Sequence, residues 1–176
     1  LFGFGKIGRA VARRARGFGM RVLAVDPHAD EQQASELGAT ITDAKTLLRE
    51  SDVISNHMNL TAENRHFFDD AGFAAMEKHP IFLNVSRGGS VDEAALVRAL
   101  DNGLIRAAGL DVLEAEKPDL ENCALIGREN VILTPHAAFY SARSIEALQR
   151  MSCHNLTDCL TGNRAHAFKI VNGVSI

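Results

Sequence analysis

The chain has 176 residues, 46% hydrophobic and 23% charged, enough for the core of one domain, or of one domain with an appendage. Its net charge of −3 leaves no basic footprint and disfavours nucleic acid as a partner, and no apolar run reaches the roughly 20 residues that would cross a membrane. Cys123, Cys153 and Cys159 lack CxxC spacing and the seven histidines form no HExxH pair, a pattern that suits reduced thiols in a cytoplasmic protein and argues against a metal site.

A glycine-rich stretch, Gly3-Phe4-Gly5-Lys6-Ile7-Gly8, opens the chain. A helix is expected to follow it, because Ile7, Ala10, Val11, Ala15 and Phe18 recur with a helical period and Gly17 and Gly19 close the run. Val22 to Val25 then reads as a short buried strand ending at Asp26-Pro27. Turn, helix, strand and acid in this order make a dinucleotide-binding unit: the glycines let the backbone approach a pyrophosphate, and the helix N-terminus faces the anion. Asp26 would accept hydrogen bonds from ribose hydroxyls and repel a 2′-phosphate, which favours NAD over NADP. Only Leu1 and Phe2 precede the turn, whereas a strand usually takes about 5–6 residues. A truncated first strand should leave a gap at the centre of a doubly wound sheet, so the chain reads as part of something longer.

Further along, a short helix near residues 31–37 stops at Gly38, a minimal strand covers 39–41, and Thr42-Asp43 opens a helix with Leu47 and Leu48 inward. Residues 53–55 form a strand, and a long polar connection runs from Asn56 to Asp70. A helix is expected over 73–78, a strong strand over 81–85, an amphipathic helix over 92–100, and strands over 106–112 and 131–133. One long helix spans 141–160, and the tail to Ile176 is irregular or a brief strand. Strands alternating with helices point to an α/β doubly wound parallel sheet, with ligands at the carboxyl ends of its strands.

Three motifs fall at such ends. Arg87, in Asn84-Val85-Ser86-Arg87-Gly88-Gly89, would bring a planar charged fork suited to a carboxylate. Asp111 ends a strand, Glu116 lies on the loop beyond it, and Glu114 between them reads as solvated. His136, in Thr134-Pro135-His136-Ala137-Ala138, would serve as a proton donor and acceptor. Singly, each has a structural explanation: a turn, a surface arginine, a lone histidine. Together they suit hydride transfer to a ketone, with the carboxylate holding the imidazole in its proton-bearing form.

The chain resembles the D-isomer-specific 2-hydroxyacid dehydrogenases through GFGKIG with Asp26, SDVISNHMNLTAEN, NVSRGG, GLDVLEAE and TPHAAF, across nearly all of its length. The resemblance implies a Rossmann-type NAD-binding domain over residues 1–138, with 139–176 returning to an N-terminal substrate domain to which nothing here corresponds. It implies NAD as cofactor and a small 2-oxo or 2-hydroxy acid as substrate. Arg87 would hold the substrate, His136 would act as acid and base at the C2 oxygen, and Glu116 would pair with His136. Lys6 and Ile7 would lie on the pyrophosphate, Asp26 on the ribose, and Val85, Ser86 and Asp111 beside the nicotinamide; Asn64 falls where NAD is often touched. A homodimer formed through this domain is also implied. Asn56 and Asn59 depart from the family, which commonly has an apolar residue before the histidine of this motif and a proline two residues after it, so a different shape is expected for that loop. The TPHAAF ending resembles D-lactate dehydrogenases and also NAD-sensing corepressors. An NAD-sensing binding protein, or a piece that binds NAD without catalysis, therefore stands as the alternative.

Overall fold

Helices in this chain begin where an Asp or Ser side chain can satisfy a free first-turn amide. Asp30, Asp43, Asp69 and Asp92 cap α2 (Glu31–Glu36), α3 (Ala44–Glu50), α4 (Asp70–Ala74) and α5 (Glu93–Asp101), accepting from the N–H groups of Gln33, Thr46, Gly72 and Ala95 at 2.8–3.0 Å. Ser141 and Ser144 form a reciprocal capping box at α6 (Ala142–Leu160). The first helix, α1 (Lys6–Gly17), is the exception: Gly5 stands at its cap, and no side chain caps it.

The computed structural model describes residues 1–163, so the tail expected to be irregular or a brief strand lies outside them. The described chain divides into a unit from Leu1 to His136 and a unit beginning at Ala137, whose principal element is α6. In the first unit, β1 (Val22–Ala24) pairs with β2 (Ala39–Ile41), and β3 (Val53–Asn56), β4 (Ile81–Asn84), β5 (Ala107–Leu110) and β6 (Val131–Leu133) follow in that order, all parallel.

The gap expected at the sheet's centre is closed by the two leading residues. Phe2 bridges Val25 on one side and Asn56 on the other, both parallel. Its N–H donates to Ser55 and its carbonyl accepts from His57, while Leu1 and Gly3 bond Val25. Leu1, Phe2 and Gly3 thus join the β1–β2 pair to the other four strands.

Alternation along β1 shows that both faces are covered. Val22 and Ala24 belong to a cluster with Phe4, Ala12, Ala34 and Ala39, whereas Leu23 and Val25 pack against the larger cluster. That larger core is built on aromatic rings: Phe2, Phe67, Phe68, Phe73 and Phe82 meet at centroid distances of 4.8–6.5 Å, mostly edge to face. The helix expected over 73–78 instead occupies Asp70–Ala74, because the Asp69 cap starts it early.

Candidate active site

The glycine turn is tight for reasons visible atom by atom. Gly3 has φ of 87°, and a Cβ there would sit 2.7 Å from the His57 carbonyl group. A Cβ on Gly8 would meet the Gly3 carbonyl oxygen at 2.2 Å. Gly5 differs: nothing lies within 4 Å of its Cβ position, so no internal contact of the fold requires a glycine there. That open place lies at the N-terminus of α1, which has no side-chain cap and no acid in its first turn. A helix N-terminus without a side-chain cap favours an anion such as a pyrophosphate. Asp26 braces the turn: its carboxylate accepts the N–H of Phe4 at 2.7 Å and that of His28 at 2.9 Å. Lys6 and Ile7 are exposed on the first turn of α1.

The carboxyl end of β4 carries the Arg87 turn. The Asn84 side chain bonds the Arg87 carbonyl at 3.1 Å, Ser90 bonds the same carbonyl at 2.7 Å, and a 3₁₀ turn at Gly88–Ser90 follows. Gly88 presses on the Leu113–Glu114 peptide so closely that a Cβ would lie 1.7 Å from the Leu113 oxygen. The turn bearing Arg87 is thereby seated against the loop bearing Glu116. Val85 is exposed, and the Ser86 hydroxyl donates to the Met58 carbonyl.

Asp111, at the end of β5, is buried and accepts from the Thr134 hydroxyl. Its carbonyl receives the N–H of His136 at 2.9 Å, which ties the β5 and β6 ends together. His136 itself is held at φ of 52°, in the left-handed region that non-glycine residues rarely enter. Arg87, Asp111, Glu116 and His136 line one cavity of about 600 Å³, whose floor is apolar (Leu113, Val131 and Leu133 among others). Three separate loops therefore bring Arg87, Glu116 and His136 to the lining of one cavity.

Two further residues make contacts that their sequence reading did not include. Glu114, expected to be solvated, is half-buried and accepts from Arg65 at 2.8 Å and His66 at 2.6 Å, pinning the 59–66 connection to the Glu116 loop. Asn64 is turned into its own loop, accepting from Thr61 N–H at 2.8 Å and donating to the Asn59 carbonyl at 2.6 Å. Burial lowers the pKa of His57 to about 4, so it is neutral at physiological pH, and its Nε2 lies 3.0 Å from the Ser55 hydroxyl. Among the described residues no group of three or more His, Cys, Asp or Glu could hold a metal ion, and no helix is long and apolar enough to cross a membrane.

Sequence reasoning passed over Asn56, Asn84 and Ser90 as a linked set. The one available signal was Asn56 itself, which departs from the apolar residue the family commonly has at this place.

Comparison with known proteins agrees with this geometry. Residues 1–138 match the family of D-isomer-specific 2-hydroxyacid dehydrogenases, NAD-binding domain. The chain is 44% identical over 136 residues to D-3-phosphoglycerate dehydrogenase 2, chloroplastic, of Arabidopsis thaliana, covering 77% of this chain and 22% of that protein. It is 38% identical over 174 residues to the D-lactate dehydrogenase of Escherichia coli, covering 92% and 53%. Among solved structures, D-lactate dehydrogenase from Aquifex aeolicus, complexed with NAD and lactic acid, superposes with a TM-score of 0.89 at 33% identity, over 99% of this chain and 56% of that one. The chain thus spans between 22% and 56% of the length of these three proteins. It belongs to the D-isomer-specific 2-hydroxyacid dehydrogenase family, as its NAD-binding domain.

Proposed function

We propose that this chain is the cofactor half of an NAD-dependent D-2-hydroxyacid dehydrogenase, which interconverts a small 2-oxo acid and the corresponding D-2-hydroxy acid. The observation that carries the reading is the gathering of Arg87, Glu116 and His136 around one cavity, beside a glycine turn and an Asp26 carboxylate suited to a dinucleotide. The bound cofactor supplies the hydride for C2 of the oxo acid. Arg87 grips the substrate carboxylate and draws electron density toward the C2 oxygen. His136 gives its proton to that oxygen as the hydroxyl forms, and takes it back in the reverse direction. Glu116 orients the imidazole and balances the imidazolium charge. Asp26 accepts from the ribose hydroxyls, and Gly3, Gly5, Lys6, Ile7 and Gly8 surround the pyrophosphate. Val85, Ser86 and Asp111 would border the nicotinamide, and Asn64 would touch the cofactor.

Residues 139–176 belong, on this reading, with a substrate domain, and the protein is a cytoplasmic homodimer. Exposed Leu148, Leu156 and Leu160 on α6 support a partner surface there. The test is NADH oxidation by the full-length protein against a panel of 2-oxo acids, with light scattering in parallel. Turnover of at least one acid is expected. NADH-dependent assembly with no turnover would instead identify an NAD-sensing binding protein.

A further inference from the structure

At the end of β3, Asn56 is wholly buried, bridged to Phe2 on one side and paired with Asn84 on the other, although a buried strand end would accept an apolar side chain. Every polar atom of its amide is used. Its nitrogen donates to the Asn84 oxygen at 3.1 Å and to the Ser90 hydroxyl at 2.7 Å, and its oxygen accepts the Met58 N–H at 3.1 Å. Asn84 then donates to the Arg87 carbonyl at 3.1 Å, as does Ser90 at 2.7 Å. The Asn84 oxygen also receives the Ser86 N–H at 3.2 Å.

Donor counting gives this network a direction. Ser90 has one hydroxyl proton, spent on Arg87, so it can only accept from Asn56. Asn84 must present its oxygen to Asn56 and Ser86, which turns its NH₂ toward Arg87. An apolar residue at 56 would remove the donor that decides which way Asn84 faces. The same amide holds Met58, whose carbonyl receives the Ser86 hydroxyl and whose peptide abuts Gly3 of the dinucleotide turn.

We infer that Asn56 is a positioning residue for Arg87: it orients Asn84 and Ser90 so that both bond the Arg87 carbonyl and hold the guanidinium at the substrate. This rests on the reading of Arg87 as the substrate-binding arginine. Buried, fully satisfied polar networks specify one arrangement at high cost to any other, which suits a group that must be placed to a fraction of an ångström.

The experiment is a double-mutant cycle in the full-length protein with Asn56→Leu and Arg87→Lys, reading kcat/KM for a 2-oxo acid the wild type reduces and the NADH dissociation constant. Asn56→Leu alone should lower kcat/KM by about 10- to 100-fold. In the Arg87→Lys background, where the fork is already lost, the same change should cost less than about threefold. Equal costs in the two backgrounds would overturn the inference, since a residue that merely supports the fold acts whether or not Arg87 is present. Should Asn56→Leu fail to fold, Ser90→Ala removes one of the two side-chain bonds to the Arg87 carbonyl and is read in the same cycle. A wild type that binds NADH but reduces no 2-oxo acid sinks the dehydrogenase reading instead. The placement is then read from amide hydrogen exchange over residues 86–90. Asn56→Leu should speed it by about tenfold relative to residues 107–110, and equal protection would refute the role of Asn56.

Discussion

Gly5→Ala separates what the fold needs from what a cofactor needs. In the structure nothing lies within 4 Å of the Cβ that alanine would add, and the backbone, at φ of −68° and ψ of −162°, is accessible to any residue. Alanine is a poorer cap than glycine, so the cost to stability should be about 0.5 kcal/mol, a fall in Tm of about 1–2 °C for a chain of this size. The new methyl would project into open space at the N-terminus of α1. A pyrophosphate bonded to the first-turn amides would be displaced, and losing one charge-assisted hydrogen bond costs about 1.5–3 kcal/mol, or roughly 10- to 150-fold in NADH affinity. Thermal unfolding and NADH fluorescence titration on the same preparation read both numbers. Gly17→Ala is the control: its Cβ site is also empty, and it should leave NADH binding alone while stabilising α1 by about 0.5–1 kcal/mol. Wild-type NADH affinity in Gly5→Ala would refute the placement of the pyrophosphate at this turn.

Three other outcomes follow from particular contacts. Asp26→Ala should lower the preference for NAD over NADP, measured as the ratio of kcat/KM values, because the carboxylate that would repel a 2′-phosphate is gone; an unchanged ratio would contradict its ribose role. It should also loosen the turn, since Phe4 and His28 lose their acceptor. His57 carries a pKa lowered to about 4 against an ordinary 6.5, so the unfolded chain binds a proton in that interval that the folded chain does not. Its contribution is complete above about pH 6.5 and falls away toward pH 4, by on the order of 2–3 kcal/mol after allowing for partial exposure. Denaturant titrations of His57→Gln should show a flatter stability profile over that window, and an identical slope would count against it. Gly88→Ala should drive the Arg87 turn off the Leu113–Glu114 peptide and cost at least about 2 kcal/mol in stability, because the obstructing atoms are backbone and cannot rotate aside; a Tm equal to wild type would show the two loops to be less closely packed.

Much of this architecture was legible in residue order. Strand and helix periods and the glycine stops are local signals, and they placed nearly every element within a few residues. That Arg87, Glu116 and His136 line one cavity was legible from three strand-end motifs, because a parallel sheet sends all its carboxyl ends to one side. What escaped depends on partners distant along the chain. Phe2 closes the sheet only because Val25 and Asn56 lie on either side of it, and two residues give no strand signal of their own. The pairing of Glu114 with Arg65 and His66 joins segments 48 or more residues apart. Asn56 stood out as a departure in its loop motif, yet its meaning lies in Asn84 and Ser90, 28 and 34 residues on. The left-handed backbone of His136 likewise has no signature in Thr134-Pro135-His136.

The most direct measurement replaces His136 with alanine in the full-length protein and reads 2-oxo acid reduction and NADH binding together. If His136 is the proton donor at C2, kcat should fall by about 10²- to 10⁴-fold while the NADH dissociation constant stays within about threefold of wild type. Turnover within a few-fold of wild type would contradict the proposed chemistry at its centre.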